Sequence, residues 1–198
     1  MYLGMYFEPS LTEEHLERLK TTLDTCGPWA RKQAVHGLTG AQMAALYDAV
    51  EGKEPLGLEH FAPSGEALVE TIHHGKNSLP LFHRFQKRFC KPDADGDETT
   101  LWGYNHNAAI VMAVINPGYF TATANDKGEV VIDYARTPPR TCPTWPALAP
   151  PGARLGSLVW GGLTDVLRKV SEHVTVGKAF RHGKPEGGYF ALCREDPT

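Results

Sequence analysis

The sequence predicts an α+β domain: a helical amino-terminal half packed on a curved or partly closed antiparallel sheet of five or six strands, with a long helix in the second half. Three observations predict it. Over the first ninety residues the apolar positions recur at helical spacing. From Thr100 the period shortens towards two, the signature of strands. Between the later strands, residues 155–173 carry the clearest amphipathic pattern in the chain.

The helices come first. "SLTEE" reads as a capping box, with Ser10 accepting from the backbone of Glu13 and Glu13 reaching back. Leu16, Leu19 and Leu23 then form one stripe, and Gly27-Pro28 ends the helix. "TGAQMAALYDAV" repeats the grammar with Thr39 and Gln42 as cap partners and Met43, Leu46, Tyr47 and Val50 as the buried face. "SGEALVETIHHG" starts a third helix at Ser64 and stops it at Gly75. "SLPLFHRFQKRF" starts a fourth at Ser78, with Leu81, Phe82, Phe85 and Phe89 on one side and Arg84, Lys87, Arg88 and Lys91 on the other.

Six strands are expected next: "TLWGYN", "AIVMAVI", "GYFTATA", "EVVIDYA", "VTVGKAF" and "GYFALCR". "NDKG" joins the third to the fourth as a tight hairpin, and "GKPEGG" joins the last two. With Asp126-Lys127 as a two-residue turn, Phe120 faces Asp133, Ala122 faces Val131 and Ala124 faces Glu129. Residues 137–151 hold six prolines in fifteen and form an extended connection, because proline cannot donate to a ladder. Then Leu155, Leu158, Val159, Gly162, Leu163, Val166, Leu167 and Val170 make the stripe of the long helix.

A chain of 198 residues suits a single domain, with 1–92 mainly helical and 100–198 mainly sheet plus the 155–173 helix. The net charge is −3, which argues against a nucleic-acid binder. The four cysteines are widely spaced and form no C-x-x-C pair, so reduced thiols in a cytoplasmic protein are expected. "MYLGMYF" lacks the positive region of a signal peptide, and no stretch reaches the ~20 apolar residues of a membrane span. The sequence admits a homodimer.

The chemistry is less legible. A phosphate loop, a dinucleotide fingerprint and a nucleophile elbow are all absent, and no cofactor is expected. His73, His74 and His83 are the metal or haem candidates, but on a helix neighbouring histidines diverge by about 100°. The basic face of Arg84, Lys87 and Arg88 is either an anion site or a solvated surface. "DADGDE" fails as a calcium loop, since Gly96 and Tyr104 fall where other residues are required. Trp102, Tyr104 and Asn105 place amphipathic groups beside an apolar strand, which suits either a small-molecule cavity or plain core. Tyr119, Phe120 and Asp133 would join them. A carboxyl group among small residues would act as a general base, with His73 and His74 as alternatives.

The run from "LWGYN" through "NPGYF" and "VVIDY" to "VTVGKAFRHG" and "GYFALCRE" resembles a set of bacterial proteins without an established activity. Its ending, a helix, a strand with Gly177 and a last strand ending in Arg194, is similar to small calycin-like domains that bind hydrophobic ligands. That resemblance covers about half the chain. It implies a partly closed barrel and an apolar ligand. "LWGYN" places the glycine after the tryptophan, so the G-x-W motif of those families is absent and no functional residue carries over.

Two functions follow as expectations. One is binding of a small apolar or amphipathic molecule between sheet and helices, with or without acid–base chemistry on it. The other is a protein-interaction module using a basic helix at 79–91 and the proline segment 137–151. A haem or metal protein is a third.

Overall fold

In the computed structural model, residues 3–8, 10–79, 83–93, 96–107, 117–148 and 160–196 are described. Among the described residues, three α-helices lead: α1 (Glu13–Thr25), α2 (Pro28–His36) and α3 (Gly40–Ala49). Eight strands follow among them: β1 (Thr71–Asn77), β2 (Arg84–Cys90), β3 (Thr100–His106), β4 (Tyr119–Ala124), β5 (Val130–Asp133), β6 (Leu163–Lys169), β7 (Val174–Arg181) and β8 (Lys184–Arg194). Each strand pairs antiparallel with the next and β8 pairs with β1, so the sheet closes into an up-and-down barrel. Closure leaves no sheet edge exposed.

The helices form where their caps and stripes dictate. Thr12, not Ser10, caps α1 by accepting from the backbone of His15, and Leu16, Leu19 and Leu23 are buried. Pro28 does not merely end α1; it opens α2, where a missing N–H costs nothing. Thr39 and Gln42 form the expected capping box of α3, which buries Met43, Leu46 and Tyr47. The three helices cover the outside of the barrel over β1, β7 and β8, packing on Val174, Val176, Ala191 and Cys193.

Two expected helices are strands. The segments read as helices 64–75 and 78–91 supply β1 and β2, and the basic helical face does not exist. The long helix expected over 155–173 is also corrected. Residues 155–159 lie outside the described residues, Gly162 adopts φ +66°, and Leu163–Lys169 is β6. A glycine at positive φ breaks a right-handed helix, and Thr164, Val166 and Val170 are β-branched. The expected strand at 109–115 also lies outside the described residues.

The hairpins correct one register and one turn. Gly128 adopts φ +71°, its N–H bonds to the Asn125 carbonyl, and the Asn125 side chain accepts from Lys127 and Glu129. The loop therefore holds three residues rather than two. Thr121 faces Asp133, and Ala122 faces Ile132. One residue of slip turns every side chain to the other face. At the carboxyl end, the turn is His182-Gly183, both at positive φ, and β8 runs from Lys184 with an irregularity opposite Lys178 and Phe180.

The barrel interior is solid at one end. Phe61, carried in by the turn after Leu58–His60, meets Phe89 at 4.7 Å and His73 at 5.3 Å between ring centroids. Leu101, Phe120, Ala122, Val130, Ile132, Leu167 and Leu192 fill the space above. Outside, over β2, β3 and β4, the proline-rich strap seats Cys142 and Trp145 against Cys90, Trp102, Tyr104 and Tyr119. Among the described residues no helix is long and apolar enough to cross a membrane.

Candidate functional site in the barrel mouth

The end of the barrel opposite Phe61 is open and hollow. A cavity of about 460 Å3 lies there, within the usual range for small-molecule sites. Phe85, Trp160, Leu163, Ala179, Tyr189 and Phe190 form much of its wall. Asn77, Asn107 and the Arg181–Glu186 ion pair stand at its rim.

Its floor is polar. Lys87, Asn105, Tyr134 and Asp165 all line the cavity and all are buried. Each belongs to an alternating inward row. Lys87 lies between Phe85 and Phe89 on β2, and Asn105 follows Leu101 and Gly103 on β3. Tyr134 continues Val130 and Ile132 of β5, and Asp165 lies between Leu163 and Leu167 on β6. Period-two geometry turns these polar side chains inward with their apolar neighbours.

The four groups satisfy one another across the lumen. Lys87 Nζ donates to Asn105 Oδ1 at 2.9 Å and to the Tyr134 hydroxyl, and lies 3.0 Å from Asp165 Oδ2. Asn105 Nδ2 donates to the Tyr134 hydroxyl at 3.0 Å, which donates to Asp165 Oδ2 at 2.9 Å. Lys87 Nζ is also 5.1 Å from the ring centroids of Phe120 and Tyr134, 5.2 Å from Phe190 and 5.7 Å from Phe85. Burial pushes the Lys87 amine below its ordinary pKa, with Asp165 pulling the other way. Burial and the Asp165 carboxylate hold the Tyr134 phenol well above its usual value. Trp160 stacks on Tyr134 with centroids 5.0 Å apart and planes 15° from parallel.

Glycines let the surrounding rings lie close to the barrel wall. A Cβ on Gly103 would sit 2.3 Å from the Phe120 ring, and one on Gly177 would sit 2.2 Å from the Phe190 ring. Both rings therefore flatten against opposing backbone.

Of the residues expected from sequence, Asn105 lines the cavity and Phe120 lies inside the barrel below it. Trp102, Tyr104 and Tyr119 alternate with these and point outward, buried beneath the strap. The Tyr119 hydroxyl donates to the Pro146 carbonyl, and Trp145 Nε1 donates to Glu70 Oε2 at 2.6 Å. Asp133 is carried to the outer face by the register slip, where it accepts from the Ala135 backbone and pairs with Arg136. It therefore does not sit over the cavity as a base.

The basic trio separates as well. Arg84 is exposed, Lys87 is inside, and Arg88 donates to Gln86 and Glu70 beneath the strap. The histidines do not converge. His73 faces the barrel interior beside Phe61, while its neighbour His74 faces outward near Glu195. His83 is exposed ahead of β2. Among the described residues no three His, Cys, Asp or Glu side chains gather as a metal site. His73 is fully buried, and its pKa is lowered to about 3, chiefly by burial and then by the Arg194 charge, with the Thr71 and His60 backbone pulling the other way.

Lys87 as an interior group, Asp165, Tyr134 and Trp160 were missed from sequence. The available signal was the alternation itself: one polar residue interrupts an apolar row in "FQKRF" and in "LTDVL", and Tyr134 ends the row of Val130 and Ile132 in "VVIDY". No protein-family model, curated protein or solved structure matches the chain. The eight-stranded antiparallel barrel is compatible with a calycin-like fold.

Proposed function

We propose that the protein binds a small apolar or amphipathic molecule in the mouth of the barrel. Its apolar body lies against Phe85, Trp160, Leu163 and Phe190, and its polar end meets the Lys87–Asn105–Tyr134–Asp165 cluster. The observation that carries this reading is the hollow itself. A closed barrel of eight strands can be filled by its own side chains, yet this one keeps about 460 Å3 open above a polar floor. Few, well-placed polar groups in an apolar wall are the usual composition of a ligand site. Any acid–base chemistry on the occupant runs through Lys87, Tyr134 and Asp165, the titratable groups of the floor.

Native mass spectrometry of freshly purified protein, followed by titration with the apolar fluorophore anilinonaphthalene sulfonate, tests this. A co-purified small molecule, or saturable binding of the fluorophore by the folded chain, is the expected outcome. Absence of both, with a crystal structure showing side chains packed into the mouth, overturns it.

A further inference from the structure

We infer that Lys87 is a nucleophile that forms an imine with an apolar aldehyde or ketone entering the barrel mouth. The inference rests on the small-molecule reading of the cavity and names the class of molecule.

The first support is position. A buried ion pair whose role is only to hold a core is embedded in packed side chains, and an apolar pair can often replace it without loss. The Lys87–Asp165 pair instead borders open space: both residues, with Tyr134 and Asn105, form the floor of the cavity while the solid core lies below. Among the described residues lining the cavity, Lys87 supplies the primary amine; the other cation is the Arg181 guanidinium, which pairs with Glu186 at the rim.

The second support is the company of the amine. Asp165 Oδ2 at 3.0 Å can take a proton from Nζ. The Tyr134 hydroxyl contacts both Nζ and Asp165, so it can carry a proton between nitrogen and a carbonyl oxygen. Four rings within 6 Å of Nζ give the protonated imine, once formed, the same cation–π contacts that the ammonium loses on deprotonation. Burial disfavours the ammonium form, as nucleophilic lysines require.

The steps balance without an oxidant or reductant. Lys87 ammonium gives one proton to Asp165, leaving a neutral amine and a neutral carboxyl group. The nitrogen lone pair attacks the carbonyl carbon, and the π electrons move to oxygen. Tyr134 gives its proton to that oxygen and takes one from nitrogen, forming the carbinolamine. Asp165 then protonates the hydroxyl group, the C–O bond breaks, water leaves, and the nitrogen lone pair closes the C=N bond. The product is a protonated imine facing the Asp165 carboxylate, so the charge pair present at the start is restored. The same apolar surroundings slow its hydrolysis.

The test uses the full chain with naphthaldehyde as the carbonyl probe, sodium cyanoborohydride as the trap, and peptide mapping by mass spectrometry. Naphthylmethanol, the same ring system without the carbonyl, serves as competitor. The expected result is a naphthylmethyl group on Lys87, in yield about tenfold above exposed lysines such as Lys53 and Lys127. Excess naphthylmethanol lowers the Lys87 label about tenfold and leaves the exposed lysines unchanged. Label confined to exposed lysines overturns the imine. If calorimetry then still shows naphthylmethanol binding, the cavity reading survives; if naphthylmethanol and anilinonaphthalene sulfonate both fail to bind, both readings fall together.

Discussion

Lys87 on β2 and Asp165 on β6 meet across the barrel lumen at 3.0 Å, both buried, with the Tyr134 hydroxyl bonded to each. Neither strand is a hydrogen-bonded neighbour of the other, so only closure of the barrel brings the two charges together.

Removing one partner leaves an uncompensated charge in an apolar interior. Lys87→Met and Asp165→Leu are each expected to destabilise the fold by about 3–5 kcal/mol. The double variant is expected to recover most of that loss, because it removes both desolvated charges. A double-mutant cycle in urea unfolding measures this. Additive losses would mean that the two groups do not stabilise each other.

A methyl group at position 103 has nowhere to go. Beyond the Phe120 ring, the Arg88 carbonyl lies 2.8 Å from where the Cβ would be, and backbone cannot swing aside. Gly103→Ala is expected to cost about 1–3 kcal/mol, seen as a lower denaturation midpoint at unchanged slope. A midpoint equal to the parent's would show that the β2–β3 ladder yields easily.

Acid stability carries a histidine signature. His73 titrates at about 3 when folded against an ordinary 6.5, so between those values the unfolded chain holds a proton that the folded chain lacks. Stability from this residue is complete above pH 6.5 and is lost as pH falls towards 3. Within that window the loss approaches about 1.4 kcal/mol per pH unit. His73→Leu is therefore expected to flatten stability against pH below 6.5. Parallel curves for parent and variant, from denaturation at several pH values, would contradict a buried neutral imidazole.

Filling the hollow is expected to block it. Ala179 lines the cavity on β7, and Ala179→Trp places an indole in open volume rather than in packed core. Affinity for anilinonaphthalene sulfonate is expected to fall about tenfold or more, with thermal stability near the parent's. Unchanged affinity in a folded variant would put the fluorophore elsewhere.

The residues of the polar floor sit in a pattern that a helix and a strand share. Phe85 and Phe89 are four apart, as are Leu163 and Leu167. That spacing shares a face on a helix and equally on a strand, so the pattern alone does not choose between them. Read as a helix, Lys87 falls on a solvated basic face; read as a strand, it falls between two inward phenylalanines. Trp102, Tyr104 and Tyr119 have the amphipathic rings that suit a ligand cavity, yet the pleat that turns Asn105 and Phe120 inward turns these three out under the strap.

By itself the sequence determined the α+β class, the capping box and buried stripes of the first helices, and most strands after Thr100, because those signals are local. The closed barrel, the strand nature of 71–77, 84–90 and 163–169, the facing of Asp133 and the meeting of Lys87 with Asp165 were decided by tertiary structure. Their hydrogen-bond partners lie on strands distant in the chain, and a three-residue hairpin loop in place of two reverses which side chains see the interior.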